Sequence, residues 1–379
     1  MPLKLTVTKK DFARGISVAG KAVTGKTTLP ILNNILISIE GLCIRLVGTD
    51  LHLGIATTVP CILQEKGSIA VPAKPVIEWL SNVPDDAEIN LTELKDGQFQ
   101  LKFGKSTHKF HCLPGEDYPL LPVIEDAVEF VVSERVLKYM IESVLFAVSD
   151  NVATPTFMGA LMHSTPEKVI FVGTDTHRIA VNQFAADADV EESKSIIPET
   201  AMLEVLRLLS DKEDPVKVSV ADKTVRFEFS GTEGIELVTS LIDGEYPAYM
   251  RVVPAEDKLD KHALVRTDVL TQAIKRLMIS ARENANRTVF EFSDNTLKMT
   301  AESQMIGSGE EIVECEYQGE DGFTTAFNAT YILDFLKVVT SNNVKIGMSL
   351  PLKATLITPD DDNSNLLYVA VPMQVMGGG

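Results

Sequence analysis

Tryptophan occurs once in 379 residues, and aromatic side chains make up only 6% of the chain. No run that reads as a helix gathers aromatics on one face, so a platform for stacking nucleic-acid bases is not expected. Cysteine is nearly as scarce. Cys43, Cys61, Cys112 and Cys315 lie without the close spacing that metal or redox motifs need, and they read as buried thiols. No cofactor or metal is expected. Long apolar runs are missing too: the longest, from Leu29 to Ile39, is broken by Asn33 and Asn34. The opening MPLKLTVTKKDF has no apolar core behind its basic residues, which predicts a cytoplasmic chain without a membrane span or secretory leader. Basic residues are outnumbered, 35 Lys and Arg against 53 Asp and Glu, leaving a net charge of −18. Spread evenly, that charge would repel a polyanion over about a Debye length, ~8 Å in physiological salt.

What is present is repetition. The tract LVGTDLHLGIA at 46–56 returns as FVGTDTHRIAV at 171–181, so Thr49 and Asp50 reappear as Thr174 and Asp175. A fainter third copy, LKMTAESQMIG from Leu297, places Thr300 in the same series. The flanks repeat in the same order. Each copy opens with an amphipathic run: Phe12, Ile16, Ala19 and Val23 in the first; Val136, Leu137, Met140, Ile141, Val144, Leu145 and Val148 in the second; Val269, Leu270, Ala273, Ile274, Leu277 and Met278 in the third. Ser133 is placed to cap the second of these. A second helical pattern follows each tract, in VPAKPVIEWLSNV, IPETAMLEVLRLLS and FNATYILDFLKVVT. Segments such as EINLTEL, VKVSVAD and TVFEFSD alternate or run apolar between Asp-Gly and Pro breaks, which predicts short strands in hairpins. The first two copies close with related turns, PGEDYPLLP and DGEYPAYMRVVP. With 45% apolar and 23% charged residues, the reading is an α+β protein of three tandem two-helix, multi-strand domains, 1–126, 127–257 and 258–379.

The acidic total hides its distribution. Residues Lys9 to Lys26 carry five cations against Asp11, and Arg266 to Arg287 carry five against two acids, net charges of +4 and +3. The matching stretch of the middle copy is weaker, at −1. If equivalent helices of three similar units face one side, their cations line one surface that favours a long polyanion, while the acidic remainder resists nonspecific contact. Phosphate contact without sequence reading is the binding mode this predicts.

Two patterns tempt an enzymatic reading. GKAVTGKT at 20–27 satisfies G-x-x-x-x-G-K-[ST], the phosphate loop of nucleotide triphosphatases. That motif needs a strand before it and a helix N-terminus after it. Here a helical pattern precedes and Thr28, Leu29, Pro30, Ile31 follow, so a helix-ending turn is expected instead. Asp175 with His177, echoed by Asp50 and His52, resembles an acid–base or metal pair, yet the third copy has Ala301 and Ser303 there. A turn-capping aspartate after a strand accounts for the duplication better.

TLPILNNILI from Thr28, VGTDLHL from Val47, VGTDTHRIAV from Val172, DGEYPAYMRVVP from Asp243 and YVAVPM from Tyr368 together resemble the bacterial DNA sliding clamps, the β subunits of DNA polymerase III holoenzyme, along essentially the whole chain. The resemblance implies three domains of one fold forming half of a closed ring, helices inside and sheets outside, completed by a second copy joined head to tail. Such a ring threads duplex DNA, catalyses nothing, and tethers the clamp loader, the replicative polymerase and other proteins carrying a short clamp-binding peptide.

Residue by residue, the resemblance places DNA contacts at Arg14, Lys26, Lys74, Asn151, Pro155 and Thr156, where Thr154, Pro155, Thr156, Glu199 and Thr200 replace larger or basic side chains common in relatives. It places the peptide pocket at Phe157, Thr174, His177, Arg178, Ile179, Pro247, Arg251, Val252, Val369, Val371, Pro372 and Met373. Apolar walls and an adaptable Met suit a leucine or aromatic anchor, with His177 and the two arginines available for polar groups. It places the subunit contact at Lys105, His108 and Phe110 facing Met278, Ile279, Glu310 and Glu311, with strands pairing across the seam.

Overall fold

The computed structural model describes residues 2–25, 27–186, 191–230 and 234–375. Among them are six α-helices: α1 (Lys9–Gly20), α2 (Ala73–Ser81), α3 (Glu134–Leu145), α4 (Glu199–Leu208), α5 (Thr267–Ala281) and α6 (Ala329–Val338). Sheets of five, nine and twelve strands accompany them. The order strand, helix, strand meander, helix, three-stranded meander occurs three times. EINLTEL, VKVSVAD and TVFEFSD form the strands Glu88–Glu93, Pro215–Val220 and Arg287–Ser293, as their alternation predicts.

Three of the helices start on a side-chain cap. The Thr8 hydroxyl accepts from the Asp11 N–H at 3.2 Å to start α1, and Phe12, Ile16 and Ala19 bury its apolar stripe completely. The Ser133 hydroxyl accepts from the Val136 N–H at 3.4 Å ahead of α3, fulfilling its predicted capping role. Asn328 does the same for α6 through Thr330 N–H at 3.0 Å.

The repeated V-G-T-D tract is explained by close packing. Gly48 and Gly173 lie on strands Cys43–Thr49 and Lys168–Thr174, where an added Cβ would stand 2.0 Å from the Ala19 carbonyl oxygen and 2.1 Å from that of Val144. Only glycine lets these strands pass so near the leading helix. The aspartates cap turns, as expected: Asp50 Oδ1 accepts from His52 and Leu53 N–H groups, and Asp175 Oδ1 from His177 and Arg178 N–H groups.

The third copy corrects the sequence alignment by two residues. Val47 pairs with Leu36, Val172 with Leu161, and Thr300 with Val289, so Thr300 is the counterpart of Val47 rather than of Thr49. Ala301, 3% exposed, then takes the place of the two glycines. Ser303 takes the aspartate's place, its hydroxyl accepting from Met305 and Ile306 N–H groups at 3.1 and 3.0 Å.

Packing divides the chain into two compact units, Met1–Leu137 with Leu203–Leu241 and Lys138–Met202 with Ile242–Gly379. This cuts the middle copy in two, and the reason lies in the sheets. In the first unit, strand Leu53–Pro60 pairs with Ile235–Ser240 over Leu53↔Thr239 to Ala56↔Glu236. In the second, Arg178–Ala185 pairs with Leu367–Ala370 over Arg178↔Ala370 to Val181↔Leu367. The last strand of one copy thus completes the meander of the copy before it, and one N–H beyond each paired run continues the match: Ser240 donates to His52 O at 2.8 Å, Val371 to His177 O at 2.9 Å.

Candidate functional site

Three surfaces merit description. The first is the solvent side of the leading helices. On α1, Lys10, Arg14 and Ser17 are exposed at helical spacing opposite the buried stripe. Lys74 on α2 reaches the turn after α1, its Nζ 3.0 Å from where a Gly25 Cβ would lie. Lys26, the neighbouring predicted contact, lies outside the described residues. Lys275 and Arg276 on α5 and Arg282 just after it are exposed. The middle copy differs. Asn151 and Pro155 are exposed, Asn151 Oδ1 caps the Ala153 N–H, and Thr156 is partly buried. Burial, and after it the nearby Asp150, raises the Glu199 carboxyl above its ordinary range. Glu199 and Thr200 thus stand where the first copy has Ala73 and Lys74 and the third has Ala329 and Thr330.

The second surface, in the second unit, is where the residues of the expected peptide groove fall. Ile179 and Val369 face each other across paired strands and are 4% and 1% exposed, forming a floor with Val172, Tyr246 and the half-buried Phe157. Tyr246 meets Phe157 edge-on at 5.8 Å and donates its hydroxyl to Val172 O at 3.4 Å. Tyr249 is turned toward His163, hydroxyl to Nδ1 2.9 Å. These two tyrosines hold the segment carrying Pro247, Arg251 and Val252, all exposed, against the floor. On the other side Val371 is 40% exposed, and Met373 is fixed by its N–H to Ala326 O at 2.7 Å with Pro372 between them.

Two expected polar groups of this groove are committed elsewhere. The Thr174 hydroxyl donates to Arg178 O at 2.6 Å. Arg178, only 9% exposed, donates to Asp175 at 3.0 Å and to Asp334 at 2.8 Å, with its guanidinium 4.3 Å from the Tyr331 ring centroid. A guanidinium so enclosed shapes the wall and has little left for a ligand; His177 and Arg251 remain exposed. Sequence reasoning missed Leu350 and Leu352, 62% and 57% exposed on a turn held by the Thr325 hydroxyl to Pro351 O at 2.8 Å. Beside Ala354, which packs on the same floor, they extend the apolar rim. Their only signal was two leucines in an otherwise polar break.

The third surface consists of unpaired strand edges. Strand Ser106–His111 ends the five-stranded sheet and, among the described residues, pairs only with Gln98–Phe103. It presents His108, Lys109 and His111, with Phe110 stacked on Phe99 at 5.5 Å and Lys105 in the turn before it. In the second unit, strand Gly307–Gln318 pairs with Thr296–Ser303 through its first half, whose other edge is open. Glu310 and Glu311 lie there, bound within the chain to Lys298 at 2.9 Å and Arg276 at 2.6 Å. Met278 is half-buried and Ile279 is 60% exposed on the adjacent α5.

The GKAVTGKT segment follows α1 and leads through a short 3-10 turn, Pro30–Asn33, into strand Asn34–Glu40. Among the described residues no α-helix stands between this segment and that strand. Among the described residues no cluster of three His, Cys, Asp or Glu is placed to hold a metal, and no helix is long and apolar enough to cross a membrane.

Cationic helix faces, an apolar patch and open strand edges are surfaces for contact and assembly. The models of the N-terminal, central and C-terminal domains of the DNA polymerase III beta subunit match residues 3–122, 131–248 and 250–374. The beta sliding clamps of Salmonella typhimurium and Escherichia coli K12 are each 28% identical over 375 residues, covering 98% of this chain and all of each relative. A solved DnaN sliding clamp from Pseudomonas aeruginosa, bound to griselimycin, superposes with a TM-score of 0.92 at 26% identity, over 99% of this chain and 100% of that one. The chain belongs to the DNA polymerase III beta subunit family. It is a sliding clamp, a non-catalytic processivity factor of DNA replication.

Proposed function

We propose that two copies of this chain close head to tail into a ring around duplex DNA, helices inward and sheets outward, and that the groove between Phe157 and Met373 holds peptide segments of the proteins it tethers. The carrying observation is the repeated strand junction. Within the chain, the last strand of the second copy completes the meander of the first, and the last strand of the third completes that of the second. One last strand, Ser106–His111, and one meander edge, Gly307–Glu314, are left over. Open edges are liabilities unless paired, and joining these two repeats the same junction between subunits. Two identical junctions of this kind close a ring.

The internal copies also supply the register. Leu113 pairs with Ala70 as Ile242 and Met373 reach Ile196 and Ala326, which makes Lys109 the counterpart of Val238 and Val369. Thr300 pairs with Glu310 as Val47 pairs with Ala56, which makes Ser308 the counterpart of Gly54 and Ile179. Lys109 therefore faces the partner's Ser308, with Phe110 against the partner's Gly307 and Ile279 beside them. Basic Lys105, His108 and Lys109 then meet acidic Glu310 and Glu311, a complementarity that favours this pairing over like-on-like contact.

Around DNA, Arg14, Lys26 and Lys74 and the cations of α5 make exchangeable phosphate contacts. Asn151, Pro155 and Thr156 contribute little beside Asp150 and Glu199. Retention is topological, so each contact can be weak, which permits sliding. The groove takes a leucine or aromatic anchor on Ile179 and Val369, with Met373 and Val252 as walls and His177 and Arg251 meeting polar groups. Its occupants are the clamp loader, the replicative polymerase and other DNA-processing proteins, in the cytoplasm. The register is tested by replacing Lys109 and Ser308 with Cys: directly opposed residues lie ~4.5–5.5 Å apart, within disulfide reach. Mild oxidation should give a covalent dimer. A monomer on a denaturing gel, beside a dimer in solution, contradicts the register.

A further inference from the structure

The junction in the first unit repeats part of the framework of the peptide groove. Thr49, like Thr174, donates its hydroxyl to the carbonyl four residues on, at 2.9 Å and 2.6 Å. The Ser240 and Val371 N–H groups make the same bond to His52 and His177. Tyr118, like Tyr246, anchors the following segment, its hydroxyl donating to Asn34 O at 3.0 Å and accepting from Thr49 N–H at 3.2 Å.

The two sites part at one position. Where the groove has Ile179 as its floor, the first unit has Gly54, and the space is taken by Leu121: a Cβ on Gly54 would lie 2.2 Å from Leu121 Cδ2. Three residues beyond each anchoring tyrosine, the groove has Tyr249, buried with its hydroxyl on His163 Nδ1, whereas the first unit has Leu121, which packs with the cluster of Leu36, Val47 and Tyr118. Its neighbours Leu120 and Val123 are 87% and 81% exposed. Leu121 is thus taken in while Leu120 and Val123 are left out, as a single anchor of a bound peptide seats itself in a groove.

We infer that the first unit carries a second peptide groove of the same kind, closed by this chain's own Leu121 acting as an internal ligand. This inference rests on the peptide-groove reading above and explains why a chain with two such frameworks offers one open site. The occupant it excludes has the same chemistry, a short peptide with leucine and aromatic anchors. Removing Leu121, or displacing it from below, opens the second site.

The test is calorimetric titration of the whole dimer with a synthetic peptide bearing adjacent Leu and Phe anchors. The wild type should bind one peptide per chain. Leu121→Ala should bind two, the new site surviving when Met373→Ala and Arg251→Ala remove the first. Gly54→Ala, whose Cβ displaces only the flexible end of Leu121, should also gain a site, so a folding failure of either variant leaves the other decisive. One peptide per chain in a folded Leu121 or Gly54 variant that keeps the first site overturns the inference. No binding to the wild type overturns the groove reading itself.

Discussion

Gly173 lies under the carbonyl oxygen of Val144, where a Cβ would stand 2.1 Å away. The obstacle is backbone at the end of α3 and cannot rotate aside, so strand and helix must separate. Gly173→Ala should cost at least ~1–3 kcal/mol, the usual scale of overpacking in a filled core, measured by chemical denaturation. The reverse change at the third copy's counterpart, Ala301→Gly, should cost only about 1 kcal/mol or less. Equal costs would contradict the close-approach explanation of the repeated V-G-T-D tract.

That tract shows how far the sequence could be read. Val47 to Asp50 and Val172 to Asp175 announce the repeat because packing permits only glycine at Gly48 and Gly173, and turn geometry favours Asp50 and Asp175. The third copy meets the same demands with Ala301 and Ser303, and the chance alignment of Thr300 with Thr49 concealed the slip of two. The strand junctions were not legible, since pairing Leu53 with Thr239 is a long-range choice that local periodicity does not encode. Nor was the enclosure of Arg178, which depends on Asp334 arriving from another copy. The groove's apolar members were legible only through family resemblance, because Phe157, Ile179 and Val369 read equally as core.

Alkaline pH should weaken the first unit through Tyr118. Burial pushes its phenol up to about 12, against the smaller lowering from the Thr49 N–H bond, while an unfolded tyrosine titrates near ~10. Below pH ~10 both states hold the proton and stability is unaffected. As pH rises from ~10 toward 12 the unfolded chain releases it first, and stability falls. Tyr118→Phe should flatten that decline in urea melts taken across the interval; an unchanged slope contradicts the assignment.

The helix cations make a prediction about salt. If Lys10, Arg14 and Lys74 neutralise phosphates, changing each to Ala should lower the slope of log affinity against log salt by ~0.9 for every phosphate no longer neutralised, read by anisotropy on a short duplex. Asn151→Ala should leave the slope where it is. A uniform fall in affinity at constant slope would mean that these residues act on folding rather than on DNA.

Peptide capture should separate cleanly from ring assembly. Met373→Ala with Arg251→Ala should abolish binding of a Leu-Phe anchor peptide in calorimetry, while sedimentation still gives a dimer of the 41.4 kDa chain. Retained affinity would remove both residues from the groove's function.

The central claim is topological, and one measurement addresses it directly. Clamps placed on a nicked circular plasmid by a clamp loader, then separated from free protein by gel filtration, should stay with the DNA while it is circular. They should leave it when a single restriction cut makes it linear, and the Lys109→Cys, Ser308→Cys ring should do so too, since it needs only an end. Equal retention on circular and linear DNA would show that affinity rather than encirclement holds the protein there, and would contradict the account.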